Sequence, residues 1–227
     1  YHPVYDMFAP DPDFNIQKAK QEMKLNKYVF LFFGFIRKYK GLHNVIEAFV
    51  KVANKRDDVS LLIVGESFWN TLDSQKLSTK IKNATFGLAK KIFLKKQDDE
   101  RDYNPLALVD ELNISDKVYI DNDFVPNEEV HKYFQVSDGI MLFYLTATPS
   151  GIESIAYNFN MPMLATNVGH FPETIKDGYN GYLAEPGNID SMAEALVKSI
   201  EKPIDRKHVA ATSKNMSWAN YANEILR

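Results

Sequence analysis

Three cations, Arg37, Lys38 and Lys40, fall within the eight residues from Gly34 to Gly41, directly after the apolar run Val29-Phe30-Leu31-Phe32-Phe33. Glycines at both ends permit tight turns and close backbone approach. A guanidinium can bind two oxygens of one phosphate and a lysine adds a point charge, so this loop can neutralise a diphosphate. It can equally be a solvated basic loop. A second polar loop, Thr146-Ala147-Thr148-Pro149-Ser150-Gly151, follows the run Ile140 to Phe143. A helix starting near Ser150 offers free N–H groups and a positive dipole end, which suits an anion, with the hydroxyls of Thr148 and Ser150 beside it. Ser150 can instead serve only as that helix's cap. A third turn, Asn167-Val168-Gly169-His170, closes the run Met163 to Ala165. Gly169 leaves room for a ligand and His170 can donate to a phosphate or sugar oxygen, although a lone histidine is also a common structural residue.

Ligands of open parallel sheets sit at the carboxyl ends of the strands, so these three loops need strands that end together. Val29 to Phe33 is apolar on both faces, as a central parallel strand requires. Leu42, Val45, Ile46, Phe49, Val52 and Ala53 repeat at helical spacing, and Leu61 to Gly65 reads as the next buried strand. Strand, helix, strand is a βαβ unit. Further elements are a helix from Pro105 to Leu112, a strand at Val118 to Ile120, a helix from Glu128 to Phe134 and the Ile140 strand. Beyond Gly181-Tyr182-Leu183 come an amphipathic helix, Ile189 to Ile200, and a last helix, Trp218 to Leu226, behind the N-cap residue Ser217. The alternation predicts an α/β fold, a doubly wound parallel sheet of Rossmann-like type. Residues 1–26, with Pro3, Pro10 and Pro12, read as a linker and entry segment. Residues 27–227 read as one domain carrying a helical insertion at about 67–103.

Composition narrows the function classes. The 227 residues are 45% hydrophobic and 25% charged, which is ordinary for a globular chain. A formal net charge of -3 lacks the basic excess of a nucleic-acid binder. Cys is absent, which removes disulfides and thiolate metal sites and fits a cytoplasmic protein. No apolar run approaches the roughly 20 residues that cross a bilayer. The five histidines show no metal-ligand spacing, so no metal is expected, and no phosphate-loop or dinucleotide glycine fingerprint occurs. The chain opens at Tyr1 rather than Met, so we expect a piece of a longer polypeptide.

Dispersed motifs add a resemblance. Gly34 to Gly41 precedes the helix ending Glu47-Ala48-Phe49, followed by Leu62-Ile63-Val64-Gly65-Glu66 and by Val125-Pro126-Asn127-Glu128-Glu129-Val130. The strongest block is Pro162-Met163-Leu164-Ala165-Thr166-Asn167-Val168-Gly169, with Pro172-Glu173, Asp177-Gly178, Gly181-Tyr182-Leu183 and Pro186. In these residues the chain resembles the donor-binding, carboxyl-terminal domain of GT-B glycosyltransferases of the retaining family 4, or group 1. The resemblance implies transfer of a sugar from a nucleoside diphosphate donor, a cytoplasmic activity of the polysaccharide-building kind. It implies no cofactor or metal. It also implies that acceptor recognition comes from an amino-terminal domain missing here, so that the isolated domain has negligible activity. Lys40 matches the family's phosphate-binding lysine, with Arg37 beside it. Gly34, Thr148, Ser150, Gly151, Glu153, Gly169 and His170 are the candidate donor contacts.

The chain departs from the family at four positions. Members carry two glutamates with seven residues between them, one for the donor sugar and one for the ribose. Counting back from Pro162, those positions are Ala147 and Ile155. Glu153 is no simple replacement, because two residues along a helix turn about 200° around it. Phe35 stands where many members have arginine, and His170 replaces a common second glycine. Two readings follow: a divergent subgroup whose Thr146 to Gly151 loop handles donor hydroxyls, or a degenerate domain kept for interaction. Retained Lys40, Arg37 and Gly169 favour the first. Another GT-B enzyme, such as a nucleotide-sugar epimerase, is a third reading.

The insertion has its own pattern. Leu77, Ile81, Ala84, Leu88 and Ile92 recur at helical spacing among lysines from Lys76 to Lys96. A basic amphipathic helix of this kind can rest on anionic lipid, giving peripheral membrane contact through 76–96, or can pack its apolar face on the domain.

Overall fold

The computed structural model describes residues 4–5, 7–67, 103–147, 150–214, 216 and 218–225. The expected basic helix at 76–96, the N-cap residue Ser217 and the candidate contact Thr148 lie outside them.

Six strands form one parallel sheet: β1 (Tyr28–Phe33), β2 (Val59–Val64), β3 (Val118–Asp121), β4 (Gly139–Leu142), β5 (Met163–Thr166) and β6 (Gly181–Ala184). Their order is β3-β2-β1-β4-β5-β6. The chain therefore winds outward from β1 to β3, returns to the far side of β1 at β4, and winds outward again. That reversal opens a crevice between the carboxyl ends of β1 and β4. β1 pairs with β2 along its whole length, from Tyr28 with Val59 to Phe33 with Val64.

β1 is central because both of its faces are apolar, and alternate residues feed opposite cores. Phe30 and Phe32 pack with α2 (Leu42–Ala53), α3 (Ala107–Glu111) and the long helix Ile189–Glu201. Val29 and Leu31 pack with α1 (Ile16–Glu22), α4 (Val130–Gln135), α5 (Gly151–Asn158) and Val209. The expected face of α2 is buried from Leu42 to Ala53. Two expected helices are shorter than their periodicity: α3 occupies the centre of the Pro105 to Leu112 span, and the Glu128 helix enters through a 3-10 turn at Asn127–Glu129 before α4.

Later in the chain come α6 (Phe171–Thr174), α7 (Ile189–Glu201), α8 (Arg206–Ser213) and α9 (Trp218–Ile225). The sequence reading had no helix at α8. Only Val209 of α8 is buried, so its apolar stripe is one residue wide. Its signal is local: Asp205 accepts from the N–H of Lys207 at 2.9 Å, two residues after Pro203. The segment ahead of α1 lies on the domain. Val4 N–H donates to Met216 O at 3.0 Å, and Asn158 Nδ2 donates to Tyr5 O.

Candidate functional site

The loop leaving β1 is shaped by three glycines. Gly34 has φ +94°, and a methyl placed on it would lie 3.0 Å from Lys40 Nζ and 3.1 Å from Ile152 Cδ1. Gly65, at the end of β2, leaves no room for a side chain against Gly34 O. After the 3-10 turn Lys38–Lys40, Gly41 (φ +66°) brings its Cα so close to β4 that a methyl would sit 2.2 Å from Phe143 O. The first loop is thus clamped onto the strand across the crevice.

This clamping buries Lys40, whose exposure is only 7%. Burial, and then the neighbouring Arg37 cation, lower its pKa from 10.5 to about 8. No acid among the described residues offsets either effect. Arg37 itself lies over the Tyr39 ring at 5.6 Å. Lys40 and Gly34 line a cavity of about 210 Å³, together with Phe33, Phe35, Gly65, Glu66, Asp123, Phe124, Val125 and Ile152. Its far wall comes from residues directly after β2 and β3. Sequence reading noted Gly65-Glu66 and Val125 as motif matches but gave them no role. Their position at carboxyl ends of buried strands was the available signal.

The loop leaving β4 meets the first loop. Leu145 N–H donates to Tyr39 O at 2.7 Å, and the Tyr39 and Tyr144 rings touch edge-on at 5.9 Å. Ser150 Oγ accepts from Ile152 N–H at 3.3 Å, so the hydroxyl caps α5. Tyr144, buried beneath, has its phenol pushed up by desolvation, against a hydrogen bond with Ser150. Ile152, in the first turn of α5, closes the cavity opposite Gly34. Gly34, Lys40 and the start of α5 therefore share one crevice.

The loop leaving β5 presses on the β4 loop in turn. At Gly169 (φ +54°) a methyl would lie 1.9 Å from Ala147 O, which only glycine tolerates. The next residue, His170, donates through Nε2 to Glu153 Oε2 at 2.5 Å. Glu153 is on α5 and 4% exposed. Its Oε1 and His170 Nδ1 are buried without a hydrogen-bond partner among the described residues. Unpaired buried polar atoms cost about 1–3 kcal/mol each. Ile155, one of the two positions where the resembled family has a carboxylate, is buried in the apolar core.

The eight candidate residues that the structure describes thus divide. Gly34 and Lys40 line the cavity, and Arg37 acts on Lys40 through its charge. Ser150 and Gly151 begin α5, while Glu153, Gly169 and His170 gather on its β5 side. None of these last five lines the cavity itself.

Comparison with known proteins adds independent findings. The family model for "Glycosyl transferases group 1" matches residues 13–216. Among curated proteins, the chain is 22% identical over 219 residues to the capsular polysaccharide biosynthesis glycosyltransferase CapM of Staphylococcus aureus, covering 94% of this chain and 48% of CapM. It is 21% identical over 223 residues to spore coat protein SA of Bacillus subtilis (strain 168), covering 92% of this chain and 52% of that protein. The chain therefore spans about half the length of the curated relatives it matches. Among solved structures, HepE of Anabaena in complex with UDP superposes with a TM-score of 0.70 at 17% identity, covering 98% of this chain and 54% of HepE. The carboxyl-terminal domain of the group 1 glycosyl transferase LpcC of Francisella tularensis gives 0.60 at 22% identity, covering 96% of both chains.

Proposed function

We propose, from the premise that this chain belongs to the group 1 glycosyl transferases, that it is the donor-binding domain of a transferase using a nucleoside diphosphate sugar. The observation that carries the reading is Lys40: a buried cation, uncompensated by any acid among the described residues, on the wall of a cavity at the sheet's reversal point. Burying an unpaired ammonium is unfavourable, and it becomes favourable when an anion completes the pair. The donor's diphosphate supplies that anion. Arg37 adds charge from the same loop, and the first turn of α5 adds its dipole.

In the reaction proposed here, the bond between the sugar's anomeric carbon and the diphosphate oxygen breaks while a bond to an acceptor oxygen forms. The acceptor loses its proton and the diphosphate leaves with the bonding pair. Lys40 and Arg37 stabilise the charge that develops on the leaving group, which preorganised cations do well in a dry site. Two cations suffice for this role, so the mechanism uses no metal. The cavity walls of Phe33, Phe35, Phe124 and Val125 suit the flat face of a nucleobase. Family membership supports retention of anomeric configuration. The half-length match to CapM supports an acceptor site on a partner domain of the same polypeptide, and an isolated chain without turnover. Among the described residues no helix is long and apolar enough to cross a membrane. A cytoplasmic location rests on the absence of Cys, and peripheral lipid contact rests on the lysine pattern of 76–96.

The test is a thermal-shift panel of uridine, guanosine and adenosine diphosphates and their sugar esters. At least one should stabilise the chain at millimolar concentration by mass action, and Lys40→Ala should lose most of that shift. The empty carboxylate positions Ala147 and Ile155 favour a second reading, a non-catalytic interaction domain. A flat panel would favour that reading over ours.

A further inference from the structure

The Glu153–His170 pair takes no part in holding the proposed diphosphate, yet it is an unfinished hydrogen-bonding unit. The side chains of His170 and Glu153 are 10% and 5% exposed, and one atom of each is unpartnered among the described residues. Buried polar atoms in folded proteins are nearly all paired, so two orphans on one contact call for a third group. A carboxylate oxygen accepts from an alcohol, and an imidazole nitrogen exchanges hydrogen bonds with one in either sense. Because Nε2 is held by Glu153 Oε2, Nδ1 lies on the other side of the ring and is left for that third group.

Placement narrows what the group is. Ile152, the neighbour of Glu153, walls the cavity on its β1 side, while the pair joins α5 to the turn after β5. In the order β1-β4-β5, with strands about 4.8 Å apart and the Lys40 turn folded against the end of β4, that turn stands roughly 5–10 Å along the sheet from it. A hexose attached to a diphosphate spans such a distance.

We propose that Glu153 and His170 act as one unit that recognises hydroxyls of the donor's sugar, standing in for the donor-sugar carboxylate absent at Ala147. The inference rests on the donor-site reading above and adds which part of the donor these residues select. Both orphan atoms are dry, so a sugar reaches them only when the groups covering them move aside. Two new hydrogen bonds compensate for that movement.

Calorimetric titration of the 227-residue chain with the three diphosphates, and with glucose, galactose, mannose and N-acetylglucosamine esters of the tightest one, tests it. The best ester should bind about 10-fold more tightly than the bare diphosphate, as hydrogen bonds to a buried pair warrant. His170→Ala should bring that ratio close to one. Since it strands a buried carboxylate and can unfold the chain, the double variant Glu153→Leu/His170→Phe is the firmer test. Apolar replacements of similar volume keep such a site folded. The double variant should lose the ratio while its diphosphate affinity stays within about threefold. Lys40→Ala should weaken both ligands alike and keep the ratio. A full ratio in the double variant, or no ratio in the unaltered chain, overturns the sugar assignment and leaves the donor site standing. Failure of the unaltered chain to bind any diphosphate overturns both.

Discussion

On the β1 side of the crevice a buried cation has no acid among the described residues to balance it; on the β5 side a buried acid is matched by a histidine. Lys40 and Glu153 are both more than nine-tenths buried, yet they stand in opposite electrostatic states. Burial and Arg37 both act against the charge on Lys40, whereas Glu153 meets His170 at 2.5 Å. An unbalanced charge is costly to the fold and is retained where something outside the chain will balance it. A balanced pair costs the fold less and can hold two loops together. The difference therefore separates the wall proposed to take an anionic ligand from one that also holds two loops together.

The sharpest way to break the comparison is to separate the two walls. Gly169→Ala puts a methyl against Ala147 O in a left-handed backbone, which should cost about 3 kcal/mol in chemical denaturation. Near-normal stability there would mean the β4 and β5 loops are not packed as described. Next in size, Lys40→Ala should weaken diphosphate binding by about 100-fold, the worth of charge-assisted hydrogen bonds in a dry site. By contrast Lys40→Met should raise the melting temperature, because it removes an unfavourable burial. A stabilised, non-binding Lys40→Met would be the strongest single support for the β1 side as a ligand surface.

The pH dependence sharpens the same point. The free Lys40 has its pKa lowered to about 8, and a bound diphosphate must raise it. Diphosphate affinity should therefore be flat from about pH 7, where the terminal phosphate is already ionised, to pH 8, and fall by up to about tenfold per pH unit above it, as the free lysine loses the proton it needs for binding. Fold stability runs the other way. The unfolded lysine keeps its proton up to its ordinary value of 10.5, so the folded state gains on the unfolded one as pH rises from about 8. Opposite slopes for binding and stability would be hard to obtain from any other residue. Smaller effects come from Ser150→Ala, which should cost about 1 kcal/mol as a lost helix cap. It should leave diphosphate affinity within about twofold, since capping already occupies the hydroxyl. Smallest is Lys51→Ala, which removes an exposed pair with Asp190 and should change stability by less than about 0.5 kcal/mol.

How much of this was legible beforehand differs between the two walls. The β1 wall was readable because its residues are contiguous: a doubly apolar strand, a glycine, three cations, a glycine and an amphipathic helix. That run nominated Arg37, Lys38 and Lys40 together, and the family resemblance singled out Lys40. The β5 wall was not, because Glu153 and His170 are 17 positions apart on a helix and a turn whose approach depends on Gly169. A helical wheel sets Glu153 about 200° around α5 from Ile155. It could not say that the side chain would meet an imidazole instead. Ser150 illustrates a middle case, in which cap and ligand contact were both open until its bond to Ile152 was seen. α8 was missed because its single buried residue leaves almost no periodicity.

Element order and sheet type were settled by the chain itself, because apolar periodicity, glycine placement and capping residues act over a few neighbours and are written locally. The burial of Lys40, the meeting of Gly34 with Ile152 and the joining of Glu153 to His170 were decided only when the strands took the order β3-β2-β1-β4-β5-β6. Desolvation and contacts between distant side chains depend on what packs around them, and no local pattern encodes that.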